Sequence, residues 1–298
     1  MPRYLVVGGS GLVGRRLLCT LGRARATGTY HTHPIPDGVQ FDMTTGKLDD
    51  LLGMTDGKFT HLIILSAISN IDRCARDPIA AARVNVTATC RMADDAAALG
   101  LVPIFASSDA VYDGSRRGWR ENDDTHPILV YGRQKLEAED HLVHAGYPAL
   151  ILRIAKVLDP ELDASGVLGP WLKDLSQGRL IRCATDQYFT PVGVGDLATA
   201  IARLAEAGAT GTFNVGGEST SRIELLEKMI EVADAVVKTP PKIERCRLGD
   251  FPFLEKRPLD LRMSLEKLER AIGYSPESFE VLCRRAARNF VQEAASQA

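Results

Sequence analysis

YLVVGGSGLVGRRLL, residues 4–18, decides the fold of this chain. Tyr4, Leu5, Val6 and Val7 form an apolar run that stops at Gly8, the pattern of a strand buried on both faces of a parallel sheet. Beyond the glycines, Leu12, Val13, Leu17, Leu18 and Leu21 recur at helical spacing. Between strand and helix, Gly8, Gly11 and Gly14 stand at GxxGxxG. In a strand-turn-helix of this kind Gly8 permits the tight turn, Gly11 lets the backbone approach a pyrophosphate, and Gly14 lets the helix lie on the strand. The unpaired N–H groups and positive dipole end at the helix start favour an anion. The position of the motif thus favours a dinucleotide-binding turn over an ordinary glycine-rich loop.

The 298 residues are enough for one large domain or two unequal ones. Hydrophobic content of 45% and charged content of 25% are those of a globular protein. With 36 Lys plus Arg against 38 Asp plus Glu, the net charge of −2 supplies no drive toward nucleic acid or an anionic membrane, so neither is expected as a partner. Cys19, Cys74, Cys90, Cys183, Cys246 and Cys283 are scattered without a CxxC, which reads as reduced thiols of a cytoplasmic protein. The first apolar run is too short for a signal peptide or a membrane span. His31 and His33 lack further ligands at metal-binding spacing, and no metal site is expected.

After the first helix, short β-rich runs at 26–31, 61–67, 102–107 and 149–154 alternate with helical patterns at 78–99 and 129–144. For the first of these helices Asp77 is the expected N-cap and Gly100 the stop. Alternation of this kind predicts βαβ units in a doubly wound parallel sheet, a Rossmann-type α/β fold. Past Ala155 the rhythm degrades. A loop over 158–169, a helix, helices at 196–207 and 221–232, a short strand at Thr212 to Gly217, a loop over 239–258, and helices at 265–272 and 276–295 predict a smaller discontinuous lobe. The division expected is a dinucleotide-binding domain of residues 1–157 plus about 190–215, and a substrate lobe of 158–189 and 216–298, packed where ligands bind at the carboxyl ends of the strands.

A second constellation begins in FASSDAVYDG, residues 105–114. Ser108 stands where a strand gives way to a loop. Downstream, VYGRQKLEAE places Tyr131 and Lys135 one helical turn apart on one face. An ammonium beside a phenol favours the phenolate and is expected to lower the tyrosine pKa, while Ser108 would hydrogen-bond a substrate carbonyl. Tyr-x-x-x-Lys alone is a weak signal. The ordered set of glycine turn, strand-end serine and pair at the start of the next helix is a stronger one, and it describes a proton-donating site beside a nicotinamide.

With GGSGLVG, ILSAISNIDRCARDP (64–78), RVNVTAT (83–89), SSDAVYDG, YGRQK, DQYFTPVGVGDLA (186–198) and RPLDLRMSLEKLERAIGY, the chain resembles the extended short-chain dehydrogenase/reductases, and within them the branch of dTDP-4-dehydrorhamnose reductase and its sugar-nucleotide-binding relatives. The resemblance implies Ser108, Tyr131 and Lys135 as catalytic residues. It implies a cofactor site of Gly8, Ser10, Gly11, Leu12, Val13, Gly14, Tyr30, His31, Asp42, Met43, Ser66, Ala67, Ile68, Asn85, Ser107, Ile154, Tyr131 and Lys135, with Asp42 and Met43 near the adenine. Asn85 matches an asparagine that positions the lysine in many relatives, although a hydrogen bond to backbone would account for it equally. Asn70, Asp109, Lys156 and Arg257 are implied at the substrate, with the nucleotide near Asp186 to Pro191. A homodimer is open.

Several positions depart from the family pattern. Dehydratases of the family carry Asp-Glu after the catalytic Ser or Thr, where this chain has Asp109 and Ala110, so that class is set aside. The reductases usually have an aromatic residue at Ala110 and a tryptophan at Lys156; a lysine there could meet a carboxylate or phosphate of the substrate, or turn to solvent. No carboxylate stands at the end of the second strand before Asp37, and Arg15 and Arg16 follow the third glycine, which favours NADP, with NAD as the other option. The function expected is NADP-dependent hydride transfer to a keto group of a nucleotide-linked deoxysugar. The alternatives are an epimerase that retains its NAD, and a non-catalytic subunit similar to the regulatory β-subunit of methionine adenosyltransferase.

Overall fold

The computed structural model describes residues 1–55, 57–161, 166–237 and 239–296. Its main sheet contains β1 (Tyr4–Val7), β2 (Ala26–Tyr30), β3 (Val39–Gln40), β4 (His61–Ile64), β5 (Val102–Ser108), β6 (Leu150–Ile154) and β7 (Gly211–Val215). Every neighbouring pair is parallel, in the order β7-β6-β5-β4-β1-β2-β3. This is the doubly wound arrangement expected from the alternation. The order reverses between β1 and β4, and the crevice outside their carboxyl ends is where such sheets take ligands.

Period-2 alternation divides each strand between two cores. Tyr4 and Val6 join Ile63, Ile104, Leu150 and Leu152 on one face, under the helix Val194–Glu206. Leu5 and Val7 join Leu62, Ile64, Phe105 and Ile151 on the other. A third cluster is built from Leu158, Trp171, Leu172, Ile181, Leu225, Leu226, Met229 and Leu282, carried largely by the helices Leu168–Ser176, Arg222–Val232 and Phe279–Ser296. Helix Glu266–Ile272 sends Leu268 and Ile272 into the first cluster on the sheet, not into the third.

Four expectations need correction. The helix expected over 78–99 is a helical run in three parts, Pro78–Ala82, a π-helical segment Arg83–Ala88, and Thr89–Ala98. Asp77 does cap it, accepting from the Ala80 amide at 2.9 Å. The strand expected over 61–67 ends at Ile64, and the Leu65 and Ser66 amides both turn to the Val7 carbonyl. Within the loop expected over 239–258, Lys242–Cys246 forms a strand parallel to Leu180–Ala184. The last helix starts at Phe279, not at Pro276. Part of the loop expected over 158–169, residues 162–165, lies outside the described residues. All six cysteines are free, and among the described residues no helix is long and apolar enough to cross a membrane.

Candidate active site

Gly8 turns the chain with φ of +95°, and a Cβ there would stand 2.7 Å from the Ser66 amide nitrogen. Only glycine allows the β1 and β4 loops to pass this closely. Gly11 caps helix Leu12–Leu21 without any side-chain cap, so the first amides of the helix have no intrahelical or side-chain acceptor. Exposed amides at a helix N-terminus beside a switch point fit a dinucleotide diphosphate. Arg15 folds back over the turn and donates to the Ser10 carbonyl at 2.9 Å. Arg16 turns away, and its guanidinium meets Glu161 at 3.0 Å, so the expectation that it reaches the end of β2 is not met.

At that end His31 is largely exposed and its Nε2 lies 3.7 Å from the Asp42 carboxylate. The Thr44 amide and hydroxyl bond Asp42 and hold its carboxyl below the usual range. Met43 does not line this mouth: its side chain is buried in the core and Arg91 takes its carbonyl at 2.6 Å. Tyr30 and Ile154 end their strands on the ligand side, while Leu12, Val13, Ser66, Ala67 and Ile68 remain partly open around the crevice.

Asn85 sits in the π-helical segment, a type of irregularity that often re-aims one side chain. Its Oδ1 accepts from the Ile68 amide at 2.8 Å, and its Nδ2 donates to the Ile68 carbonyl at 3.0 Å and to Gln134 Oε1 at 2.9 Å. It is fully buried, and among the described residues its hydrogen bonds run to the Ile68 backbone, Cys74 and Gln134 and not to Lys135. It clamps the β4 loop to the residue before Lys135.

The catalytic candidates converge at the carboxyl end of β5. Ser108 ends the strand, donates to Asp109 Oδ1 at 3.0 Å, accepts from the Ala110 amide at 3.2 Å, and lies close enough to the Tyr131 hydroxyl to bear on its proton affinity. Tyr131 and Lys135 occupy the first two turns of helix Val130–His144. Lys135 Nζ lies 5.8 Å from the Tyr131 ring centroid, over the Phe105 ring at 4.7 Å, and donates to the Ala106 carbonyl at 2.7 Å. The expected lowering of the tyrosine pKa is not found. Burial, followed by the Asp109 charge, pushes the Tyr131 phenol up, and the neighbouring Ser108 hydroxyl offsets only part of this. Burial lowers Lys135 to about 8, although the Glu139 charge opposes the change.

The setting of Gly132 explains why a glycine follows Tyr131. A Cβ there would drive into the Ala110 carbonyl oxygen, so the helix can rest against the loop after Ser108 only without a side chain at this point. Gly132→Ala is therefore expected to lower stability by roughly 1–3 kcal/mol and to separate Tyr131 from Ser108. Thermal melting and a kcat measurement on the same preparation check this, and unchanged values for both would disprove the contact.

Of the substrate candidates, Asp109 and Lys156 follow the ends of the neighbouring strands β5 and β6, and each charge bears on the other's proton affinity. Asn70 caps helix Ile71–Arg76, its Oδ1 accepting from the Arg73 amide at 2.9 Å. Ser107, expected at the cofactor, turns its hydroxyl inward to Glu139. Arg257 donates to Asp72 at 2.7 Å, and its Nη1 is buried with no partner among the described residues. Near the expected nucleotide position, Asp186 accepts from the Leu248 amide at 2.7 Å, while Gln187 Oε1 and Thr190 Oγ1 are likewise buried and unpartnered.

Asp109 carries a pH consequence. Burial raises its carboxyl to about 6, against roughly 4 in an unfolded chain. Between those values the folded state binds the extra proton, so stability falls as pH rises through the window and the penalty is complete above about 6. Asp109→Asn is expected to raise the melting temperature at pH 8 and to leave it little changed at pH 4. Melting curves at the two pH values decide it, and a gain confined to pH 4 would refute the assignment.

Two positioning residues escaped the sequence reading. Glu139, one turn beyond Lys135, pairs with Arg153 at 2.7 Å, both nearly inaccessible to solvent. Glu255 Oε1 accepts from the Val130 amide at 2.9 Å and so caps the helix of Tyr131 and Lys135 from 125 residues downstream. The first continues the four-residue spacing of Tyr131 and Lys135 and was visible in principle; the second left no local signal.

The family described as RmlD substrate binding domain matches residues 2–292. A "probable low-salt glycan biosynthesis reductase Agl14" of Haloferax volcanii is 30% identical over 92% of this chain and 94% of its own length. A dTDP-4-dehydrorhamnose reductase of Aggregatibacter actinomycetemcomitans is 26% identical over 94% of this chain and 96% of its own. The crystal structure of a hypothetical dTDP-4-dehydrorhamnose reductase from Sulfolobus tokodaii superposes with a TM-score of 0.82 at 24% identity, covering 93% of this chain and 98% of that one. The chain belongs to the RmlD substrate binding domain family.

Proposed function

We propose that the chain is an NADP-dependent reductase that delivers hydride to a keto group of a nucleotide-linked sugar. The observation that carries this reading is the convergence of Ser108, Tyr131 and Lys135 at the end of β5, tied by Asn85 and Gln134 to the loop that brushes Gly8. The names of the relatives support the reaction class. For the cofactor, the support is the lack of a carboxylate on β2 together with Arg15 above the turn and His31 at the strand end.

A bound nicotinamide nucleotide supplies the hydride. The chain's own residues then do the following. The helix amides after Gly11 hold the diphosphate. Ser108 Oγ orients the ketone oxygen by hydrogen bonding. Tyr131, kept protonated by its buried setting, gives its proton to that oxygen as negative charge develops there. Lys135, one turn along, supplies positive charge that steadies the phenolate left behind, in a pocket dry enough for the charge to count.

Incubating the protein with NADPH and a panel of nucleotide-linked keto sugars tests the reading. Stoichiometric loss of NADPH absorbance supports it. An epimerase would convert sugar without net NADPH loss, and a binding subunit would leave both unchanged.

A further inference from the structure

Ser108 has one proton to give, and that proton is already committed. Its hydroxyl donates to Asp109 Oδ1 at 3.0 Å and accepts from the Ala110 amide at 3.2 Å. A hydroxyl carries one donor and two lone pairs, so a single lone pair is left over. A ketone oxygen can only accept. A carboxylate can only accept as well, so while Asp109 is ionised Ser108 has no hydrogen with which to orient a ketone.

The surroundings of Asp109 supply the missing hydrogen. Ser108 and Asp109 are each 8% exposed, and Ser108 opens the 3₁₀ turn Asp109–Val111. The helix of Tyr131 rests on that turn, where Gly132 comes against the Ala110 carbonyl. Among the described residues no cation stands at ion-pair distance from the Asp109 carboxyl. A carboxyl buried without an ion pair favours its neutral form. Burial accordingly raises Asp109 to about 6, and the bond from Ser108 and the Lys156 charge draw it back only in part. Tyr131 on the helix and Lys156 after β6 are the titratable groups coupled to it, and neither makes a hydrogen bond or ion pair with it among the described residues.

Once protonated, Asp109 can donate to Ser108 Oγ along the same 3.0 Å contact. The two lone pairs of Ser108 then take Asp109 and the Ala110 amide, and its own hydrogen is released toward a ketone oxygen. We propose that Asp109 is a positioning residue whose proton sets the direction of the Ser108 hydrogen bond, so that the serine serves the ketone only while Asp109 is neutral. This rests on the reductase reading, and it has Asp109 act through Ser108 instead of through contact with the sugar.

Initial rates of NADPH oxidation from pH 5 to pH 7, with the fastest substrate of the nucleotide-linked keto-sugar panel, test it. Over this range Lys135, at about 8, keeps its charge, and buried Tyr131 keeps its proton. The wild type is expected to lose about tenfold in kcat across the range, which spans one unit on either side of the Asp109 midpoint of about 6. Asp109→Asn, whose amide can donate to Ser108 Oγ at any pH, should give a flat profile and run about tenfold faster than the wild type at pH 7. Ser108→Ala should be slower by about 10²- to 10³-fold, the worth of one lost donor to the developing oxyanion, and its profile should also be flat. A second readout needs no turnover. In protein labelled with carboxyl-¹³C aspartate, the Asp109 signal, identified by its absence from Asp109→Asn, should titrate near 6 in the wild type and higher in Ser108→Ala, where the carboxylate has lost its donor. A fall that persists in Ser108→Ala overturns the assignment, because the Asp109 charge would then act on Tyr131 directly. A flat wild-type profile, or an Asp109 signal that titrates as an ordinary carboxyl, also overturns it and leaves the reductase reading in place. If NADPH binds but no keto sugar is reduced at any pH, the reductase reading fails and takes the assignment with it.

Discussion

Tyr131→Phe is expected to cut NADPH-dependent ketone reduction by about 10²- to 10⁴-fold, the usual worth of a positioned proton donor, while the protein still folds and binds NADPH. The variant removes one oxygen and keeps the ring that lies 5.8 Å from Lys135 Nζ. Ser108 keeps its bonds to Asp109 and the Ala110 amide, so the end of β5 has no reason to move. The loss should fall on kcat, because the proton is given only as charge develops on the ketone oxygen. Steady-state loss of NADPH absorbance measures the rate, and NADPH fluorescence titration measures binding. A variant as fast as the wild type would remove Tyr131 from the reaction; a variant that no longer binds NADPH would show that its hydroxyl holds the cofactor instead.

Glu139→Gln is expected to have the largest effect on stability. The Glu139 carboxylate takes bonds from Arg153 Nε at 3.0 Å and Nη2 at 2.7 Å, and from the Ser107 hydroxyl. Arg153 Nη1 donates to the Tyr112 hydroxyl at 2.9 Å and to the Glu121 carbonyl at 3.0 Å, neither of which carries a compensating charge. Removing the carboxylate charge therefore strands a guanidinium in the interior, at a cost of about 3–5 kcal/mol. For a chain of this size that is a fall of roughly 6–15 °C in melting temperature. Deleting both partners, Glu139→Gln with Arg153→Met, should be milder than the sum of the two single changes, since no charge is then left alone.

The same substitution reaches the chemistry through Lys135. The Glu139 charge raises the proton affinity of Lys135 against the effect of burial, which leaves it at about 8. Without that charge the lysine deprotonates at lower pH, and the alkaline fall in kcat/KM should move down with it. Additive single changes, or an unmoved pH profile, would show that the pair is structural filling with no hold on the lysine.

Much of the site was legible because its parts are local. The glycine turn lies within a few residues of the strand and helix that it joins, and Tyr131 and Lys135 are separated by one turn of one helix. The surroundings of Ser107 and Met43 were not legible, because Ser107 meets Glu139 and Met43 enters the second cluster only through the fold, whereas the Asn70 cap on the Arg73 amide is local. Lys242–Cys246 was read as loop because only one side of the strand is paired and most of its side chains face solvent, so its apolar alternation is faint.

By itself the sequence determined the parallel sheet and its glycine turn and singled out the candidate serine, tyrosine and lysine, because two-residue and 3.6-residue apolar periods and glycine spacing act within a dozen residues. Tertiary structure alone decided which way burial and neighbouring charges move those groups, and which side chains hold them. Glu255 reaches Val130 and Asn85 reaches Ile68 only once distant segments pack. The physical reason is that desolvation and Coulomb energy depend on distance through space, and separation along the chain does not report that distance.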